Sequence, residues 1–238
     1  MSGMRYLTSY THFWHPLVTV LRGLINNGRI AARYRQIRHT EGAEEAQHWI
    51  RSYADHEQLG FHDLADTEEH DSTLIANINA VVHADDELWI LGDVSFRTSM
   101  EHTRACLHAL HCAHLQMIVG NHDRNFRNTD NDHLYASAFE TIDDYDELTM
   151  DFLGANRTVA LSHFPRRSSI MQHIGTWGGD LRFEPDAPAT EGWLLYGHTH
   201  QDEPAGTDAK SMNVGLDAWR LKPVSESQVA AWFERSSR

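Results

Sequence analysis

The chain has 238 residues, 41% hydrophobic and 23% charged, with a formal net charge of −14; this is the composition of one well-buried globular core and excludes a disordered or low-complexity chain. The acidic balance speaks against non-specific nucleic-acid binding, which rests on Lys and Arg neutralising phosphates. No stretch approaches the roughly 20 apolar residues of a membrane span, residues 1 to 8 lack the pattern of a signal peptide, and Cys106 and Cys112 alone make no disulfide framework, so a cytoplasmic protein with no membrane partner is expected.

In chain order, the apolar run Arg5 to Thr8 reads as a buried strand and ends in Ser9-Tyr10-Thr11-His12. From about Leu17 to Gly60 no run has strand character. Three helical stretches, Leu17 to Asn26, Ile30 to His39 and Glu41 to Leu59, are punctuated by Asn27-Gly28 and Thr40-Glu41-Gly42. Residues 17–60 are read as a helical insertion packed beside the site, with Glu41, Glu44 and Glu45 on a solvated face. Asp71 to Val82 carries apolar residues at helical spacing. Strand Glu87 to Leu91 then runs into Gly92-Asp93, helix Met100 to His111 follows, and strand Leu115 to Val119 ends in Gly120-Asn121-His122-Asp123.

The second half repeats the pattern. Strand Thr158 to Leu161 ends in Ser162-His163, and strand Trp193 to Tyr196 ends in Gly197-His198-Thr199-His200. Between them, Phe164 to Gly192 is rich in Gly and Pro and reads as a long functional loop. A strand at Ser211 to Val214 and a helix from Ser225 to about Arg235 complete the chain. Alternating strands and helices predict a single α/β layered domain.

Asp, Asn and His at the carboxyl ends of neighbouring strands converge at one edge of a sheet. Oxygen and imidazole donors of this kind suit Mn, Fe or Zn, and the absence of cysteine from every motif excludes a thiolate zinc site there. The alternation His198-x-His200 puts both imidazoles on one side of an extended segment, and an aspartate such as Asp93 has two oxygens with which to bridge two ions.

Gly92-Asp93, Gly120-Asn121-His122-Asp123, Ser162-His163 and Gly197-His198-Thr199-His200 resemble, in order and spacing, the successive motifs of the calcineurin-like metallophosphoesterases, closest to the small bacterial and phage branch. The likeness extends to Thr11-His12-Phe13-Trp14-His15 and to Asn213-Val214-Gly215-Leu216-Asp217, so it covers the chain apart from the insertion. It implies a β-sandwich flanked by helices in a four-layer αββα arrangement, and two metal ions. His12, Asp93 and His200 would hold one, and Asp93, Asn121, His163 and His198 the other. It implies hydrolysis of a small phosphorylated substrate, a phosphomonoester or phosphodiester such as a nucleotide, by metal-activated hydroxide, with His122 as catalytic acid.

Two departures stand out. Tyr10 occupies the place of the family's first aspartate ligand; a phenol binds divalent ions poorly, although Fe³⁺ takes a phenolate, so the first position is weak, differently occupied or completed by water. Gly92-Asp93-Val94-Ser95-Phe96-Arg97 lacks the Asp-Arg-Gly continuation of protein phosphatases, which argues against phosphoprotein, and Phe96 differs from the tyrosine ligand of purple acid phosphatases. Around the site, Arg166 and Arg167 are candidates for a substrate phosphate, His15 for support of the first metal or substrate, Asp123 for orienting His122 or a ligand, and Trp177 for base stacking or anchoring a loop. The competing reading is a binding module, a phosphoesterase fold that Tyr10 has weakened. Retention of His122 favours the enzyme.

Overall fold

Four parallel strands, β1 (Arg5–Thr8), β2 (Glu87–Leu91), β3 (His114–Ile118) and β4 (Thr141–Asp143), form a sheet that β9 (Val224–Ser225) extends antiparallel to β1, in the order β4-β3-β2-β1-β9. A second sheet, β5-β6-β7-β8, joins β5 (Asp146–Phe152) and β6 (Ala155–Leu161) as a hairpin and continues in parallel through β7 (Trp193–Tyr196) and β8 (Ser211–Asn213). The computed structural model describes residues 3–96, 98–123, 137–168, 187–206 and 208–237. The fold is α/β.

Alternation within the strands decides the layers. Leu7, Trp89, Leu91 and Ile118 point from the first sheet into a buried cluster with Leu148, Met150, Phe152, Val159, Leu161, Leu195 and Met212 of the second. Tyr6, Leu88, Ile90, Leu115 and Met117 point the other way, against Leu74 and Ile78 of α5 (Thr67–Asn79) and Cys106 and Leu107 of α6 (Met100–His108). The C-terminal helix α7 (Glu226–Ser236) begins in a Ser225/Gln228 capping box and buries Val229 and Phe233 in the cluster between the sheets. On the far face of the second sheet Ala160, Leu194 and Tyr196 form a small cluster with no helical residue in it.

The helical segment predicted over 17–60 forms three helices, α1 (Pro16–Leu21), α2 (Gly28–Thr40) and α3 (Ala43–Glu57), and a short α4 (Phe61–Leu64) follows it. They enclose a core of their own, with Val20, Tyr34, Ile37, Ala46, Ile50 and Leu64 buried together. Boundaries shift where caps intervene. α5 starts four residues earlier than expected because the Asp66 side chain accepts from the backbone of Glu69. The hairpin β5–β6 and the short strands β4 and β9 were not anticipated. Leu153 (φ 51°) and Gly154 (φ 69°) turn this hairpin in the left-handed conformation that a two-residue connection requires.

Candidate metal centre

Five expected motifs follow the carboxyl ends of β1, β2, β3, β6 and β7, so both sheets deliver their loops to one edge. The backbone there is tightly turned. Tyr10, His12, Asp93, His198 and His200 all lie at positive φ, between 44° and 66°, a region that costs non-glycine residues of order 1–3 kcal/mol each and clusters at functional sites. Backbone hydrogen bonds hold these turns: Tyr10 donates to Gly92 (2.8 Å) and His12 to Asp93 (3.0 Å). Gly92 is needed for two reasons. Its φ is +81°, and a Cβ there would stand 2.5 Å from His163 Nδ1.

Four expected ligands meet at one point. His163 Nδ1 donates to the Leu91 carbonyl (2.8 Å), which turns Nε2 towards Asn121 Oδ1 at 3.0 Å, His198 Nδ1 at 3.1 Å and Asp93 Oδ2 at 3.4 Å. Beside them His12 Nε2 is 3.7 Å from the same Asp93 oxygen and 3.2 Å from His200 Nε2. His200 is fixed by donation from its Nδ1 to Asp217 (3.0 Å). Asp93 Oδ2 therefore lies between a His163/Asn121/His198 group and a His12/His200 pair. Asp93, His163 and His198 are all buried with ligand atoms within 4.8 Å of one another and can hold a metal ion, as can a separate group, Asp71, His102 and Cys106. Imidazole, carboxylate and amide oxygen fit a borderline or hard transition ion.

Electrostatics at the Asp93 centre differ from group to group. Burial alone would raise the Asp93 carboxyl, yet the charge and hydrogen bond of His163, with His12 and His122, hold it well below the usual range. Burial would lower His163, but Asp93 outweighs this and raises it. Burial pushes His198 down to about 3 and His12 well below its ordinary value. Both are neutral imidazoles, the form that ligates.

His122 sits at the rim, 28% exposed, with Nε2 3.9 Å from Asp93 Oδ2 and its ring edge-on to Phe96 at 4.1 Å between centroids. Its backbone N–H, and not its ring, anchors Asp93 Oδ1 (3.0 Å). Asp123 supports the expected ligand Asp93 through the backbone. Its carboxylate accepts from the backbone N–H groups of Asp93 (2.5 Å), Gly120 (2.8 Å) and Val94 (3.0 Å), so it clamps the β2 loop to the β3 loop.

Tyr10 is placed as a buried donor. Its hydroxyl donates to Asn213 Oδ1 (3.2 Å), its ring lies 4.3 Å from that of His200, and burial pushes its phenol well above the ordinary value. The oxygen that would act as a substitute ligand is thus protonated and occupied. His15 caps α1, accepting from Val18 at 3.5 Å, and packs edge-on to His12 at 5.1 Å between rings. Arg166, a candidate for substrate phosphate, has its guanidinium buried against Asp208 (2.8 Å) and the carbonyls of Thr190 and Gly192. Arg167 is exposed. Trp177 and the loop residues 169–186 lie outside the described residues.

The residues that sequence reasoning missed are Arg22 and Asp217. Arg22, at the end of α1, donates to the Tyr10 carbonyl (2.9 Å) and the Thr11 carbonyl (3.2 Å) and pairs with Asp217 (2.8 Å). It holds the turn carrying His12 and the carboxylate that orients His200. The partners are 195 positions apart, which no local pattern reveals; the signal within reach was Asp217 itself, at the end of the Asn213 to Asp217 motif. Next to His200 a small cavity of about 40 Å³ is lined by Arg22, Arg38, Gln47, Asp202 and Asp217, so the helical segment supplies one wall beside the centre. Among the described residues no helix is long and apolar enough to cross a membrane.

No family model matches the chain. A crystal structure of a protein of unknown function from Aquifex aeolicus shares the fold, with a TM-score of 0.54 and 18% identity over 95% of this chain and 97% of that one. The Gene 66 protein of Mycobacterium phage L5 is 30% identical over 169 residues, 65% of this chain and 76% of that protein. The Gene 66 protein of Mycobacterium phage D29 is 33% identical over 172 residues, 66% and 81% respectively. The chain belongs to the family of these phage Gene 66 proteins.

Proposed function

We propose that the chain is a metal-dependent phosphoesterase of the calcineurin-like kind, hydrolysing a small phosphomonoester or phosphodiester. The observation that carries this reading is the convergence of Asp93, Asn121, His163 and His198 on one point, with His12 and His200 beside it and His122 at the rim. The motif order, the two sheets sharing one core and the turned backbone at the ligands support it. The four-layer sandwich of that family belongs to the same reading.

Asp93, Asn121, His163 and His198 would hold one ion, and His12, His200 and Asp93 a second, more weakly, because Tyr10 contributes no carboxylate. Such ions supply Lewis acidity towards phosphoryl oxygens and activate water. Asp93 would serve both positions, and Asp123 keeps its loop in place. His200 is oriented by Asp217, and His12 by the Arg22 clamp on its turn. His122, the most exposed imidazole of the group, is placed to give a proton to the leaving oxygen.

The test is turnover of a chromogenic phosphodiester and a chromogenic phosphomonoester with Mn²⁺, Fe²⁺ and Zn²⁺. Hydrolysis by the parent that His163→Ala and His122→Ala both abolish supports the enzyme. A metal-loaded parent inert on both esters supports the binding module instead.

A further inference from the structure

We propose that Asp71, His102 and Cys106 form a second, independent transition-metal site, suited to Zn²⁺. His102 and Cys106 are one turn apart on α6 and so share a face, and Asp71 of α5 meets them across the helix pair. Cys106 Sγ is 3.4 Å from His102 Nε2 and 3.7 Å from Asp71 Oδ2, and His102 Nε2 is 2.8 Å from that same oxygen. Tetrahedral zinc, with Zn–S of about 2.3 Å and Zn–N or Zn–O of about 2.0 Å, places ligand atoms about 3.3–3.6 Å apart. The two distances to sulfur already match, and the third opens by about half an ångström as the ion replaces the hydrogen bond.

Several features set this group apart from an ordinary buried cysteine. The other Asp71 oxygen is held by His70 Nδ1 (2.8 Å) and the Trp14 backbone N–H (3.1 Å), the kind of outer support that fixes a ligating carboxylate. His102 is 33% exposed, with the Trp14 ring 4.6 Å away, so the fourth position opens to solvent. The donor set of one thiolate, one imidazole and one carboxylate selects a borderline-soft ion and differs from the sulfur-free centre at Asp93. On binding, the Cys106 thiol proton leaves to solvent and the His102 proton sits on Nδ1, leaving Nε2 to the metal. Burial and Asp71 push the free thiol up to about 12, so uptake is favoured at higher pH. The site also touches the first one indirectly: His70 Nε2 accepts from Arg22 (2.8 Å), which clamps the turn carrying His12.

Co²⁺ distinguishes the two sites, because only a thiolate ligand gives the intense near-ultraviolet sulfur-to-cobalt charge-transfer band. The full chain, stripped of metal and titrated with Co²⁺, is expected to develop the band, Cys112→Ser to keep it and Cys106→Ser to lose it. His102→Ala alters a partly exposed side chain and serves should Cys106→Ser fail to fold; it is expected to weaken the affinity read from the band at least tenfold. No band in the parent at saturating Co²⁺, a band that survives Cys106→Ser, or an unchanged affinity in His102→Ala would overturn the proposal.

Discussion

Arg22 and Asp217 form a buried ion pair, Nε to Oδ1 2.8 Å, with side chains 3% and 11% exposed. The same guanidinium holds the carbonyls of Tyr10 and Thr11, and the same carboxylate receives His200 Nδ1. The pair therefore ties together the two turns that carry His12 and His200. Removing one member leaves the other charge buried and uncompensated. Arg22→Leu is expected to lose about 3–5 kcal/mol in urea denaturation, the range for breaking a buried pair. Adding Asp217→Asn should return part of that loss. A loss below about 1 kcal/mol would place the pair among weak surface bridges.

The pair also sets an acid dependence. Burial raises the Asp217 carboxyl, but the Arg22 charge and the His200 hydrogen bond outweigh it and hold it well below its ordinary value. The unfolded chain, with a carboxyl near about 4, then takes up a proton before the folded one does. The contribution is complete above that pH and is lost as pH falls towards the folded value. Denaturation midpoints measured from pH 6 to pH 3 should fall less steeply for Asp217→Asn than for the parent.

Much of the candidate site was legible because each candidate ligand lies next to the strand that carries it. Apolar runs fixed β1, β2 and β7 to the residue, and the Asp, Asn and His following them gave five of the turns. What the sequence concealed were partners far apart in the chain, such as Arg22 with Asp217, Asp71 with His102 and Arg166 with Asp208. The hairpin β5–β6 was readable in principle, since Leu148, Met150 and Phe152 alternate inward and Leu153-Gly154 can turn.

Gly215 is bound to the identity of residue 10. A Cβ at Gly215 would stand 1.7 Å from the Tyr10 hydroxyl and ring, while its φ of −68° suits any residue. Gly215→Ala should therefore cost about 1–3 kcal/mol through overpacking alone. In a Tyr10→Asp background that steric cost should vanish, which a double-mutant cycle by denaturation would show as coupling. Equal costs in both backgrounds would refute the packing argument.

His122→Ala should lower ester turnover by about 10²–10⁴, the usual contribution of a positioned acid, without changing metal content. Its imidazole stands 3.9 Å from Asp93 Oδ2, outside the His163, Asn121 and His198 group. Steady-state rates alongside elemental analysis of the same preparation separate the two effects. Loss of metal together with rate would make His122 a ligand.

Tyr10→Asp should add metal rather than remove it. The phenol donates to Asn213, whereas a carboxylate offers an acceptor near His12 and His200. Binding isotherms with Mn²⁺ are expected to gain or tighten one site relative to the parent. An unchanged isotherm would show that residue 10 does not govern the first position.

In the proposed site Asp93, Asn121, His163 and His198 enclose a metal ion. Elemental analysis of the parent and of His163→Ala, each saturated with Mn²⁺ or Zn²⁺ and then dialysed, addresses it most directly. The parent is expected to retain at least one ion per chain and His163→Ala one fewer. Equal metal in the two proteins, or none in the parent, would contradict it.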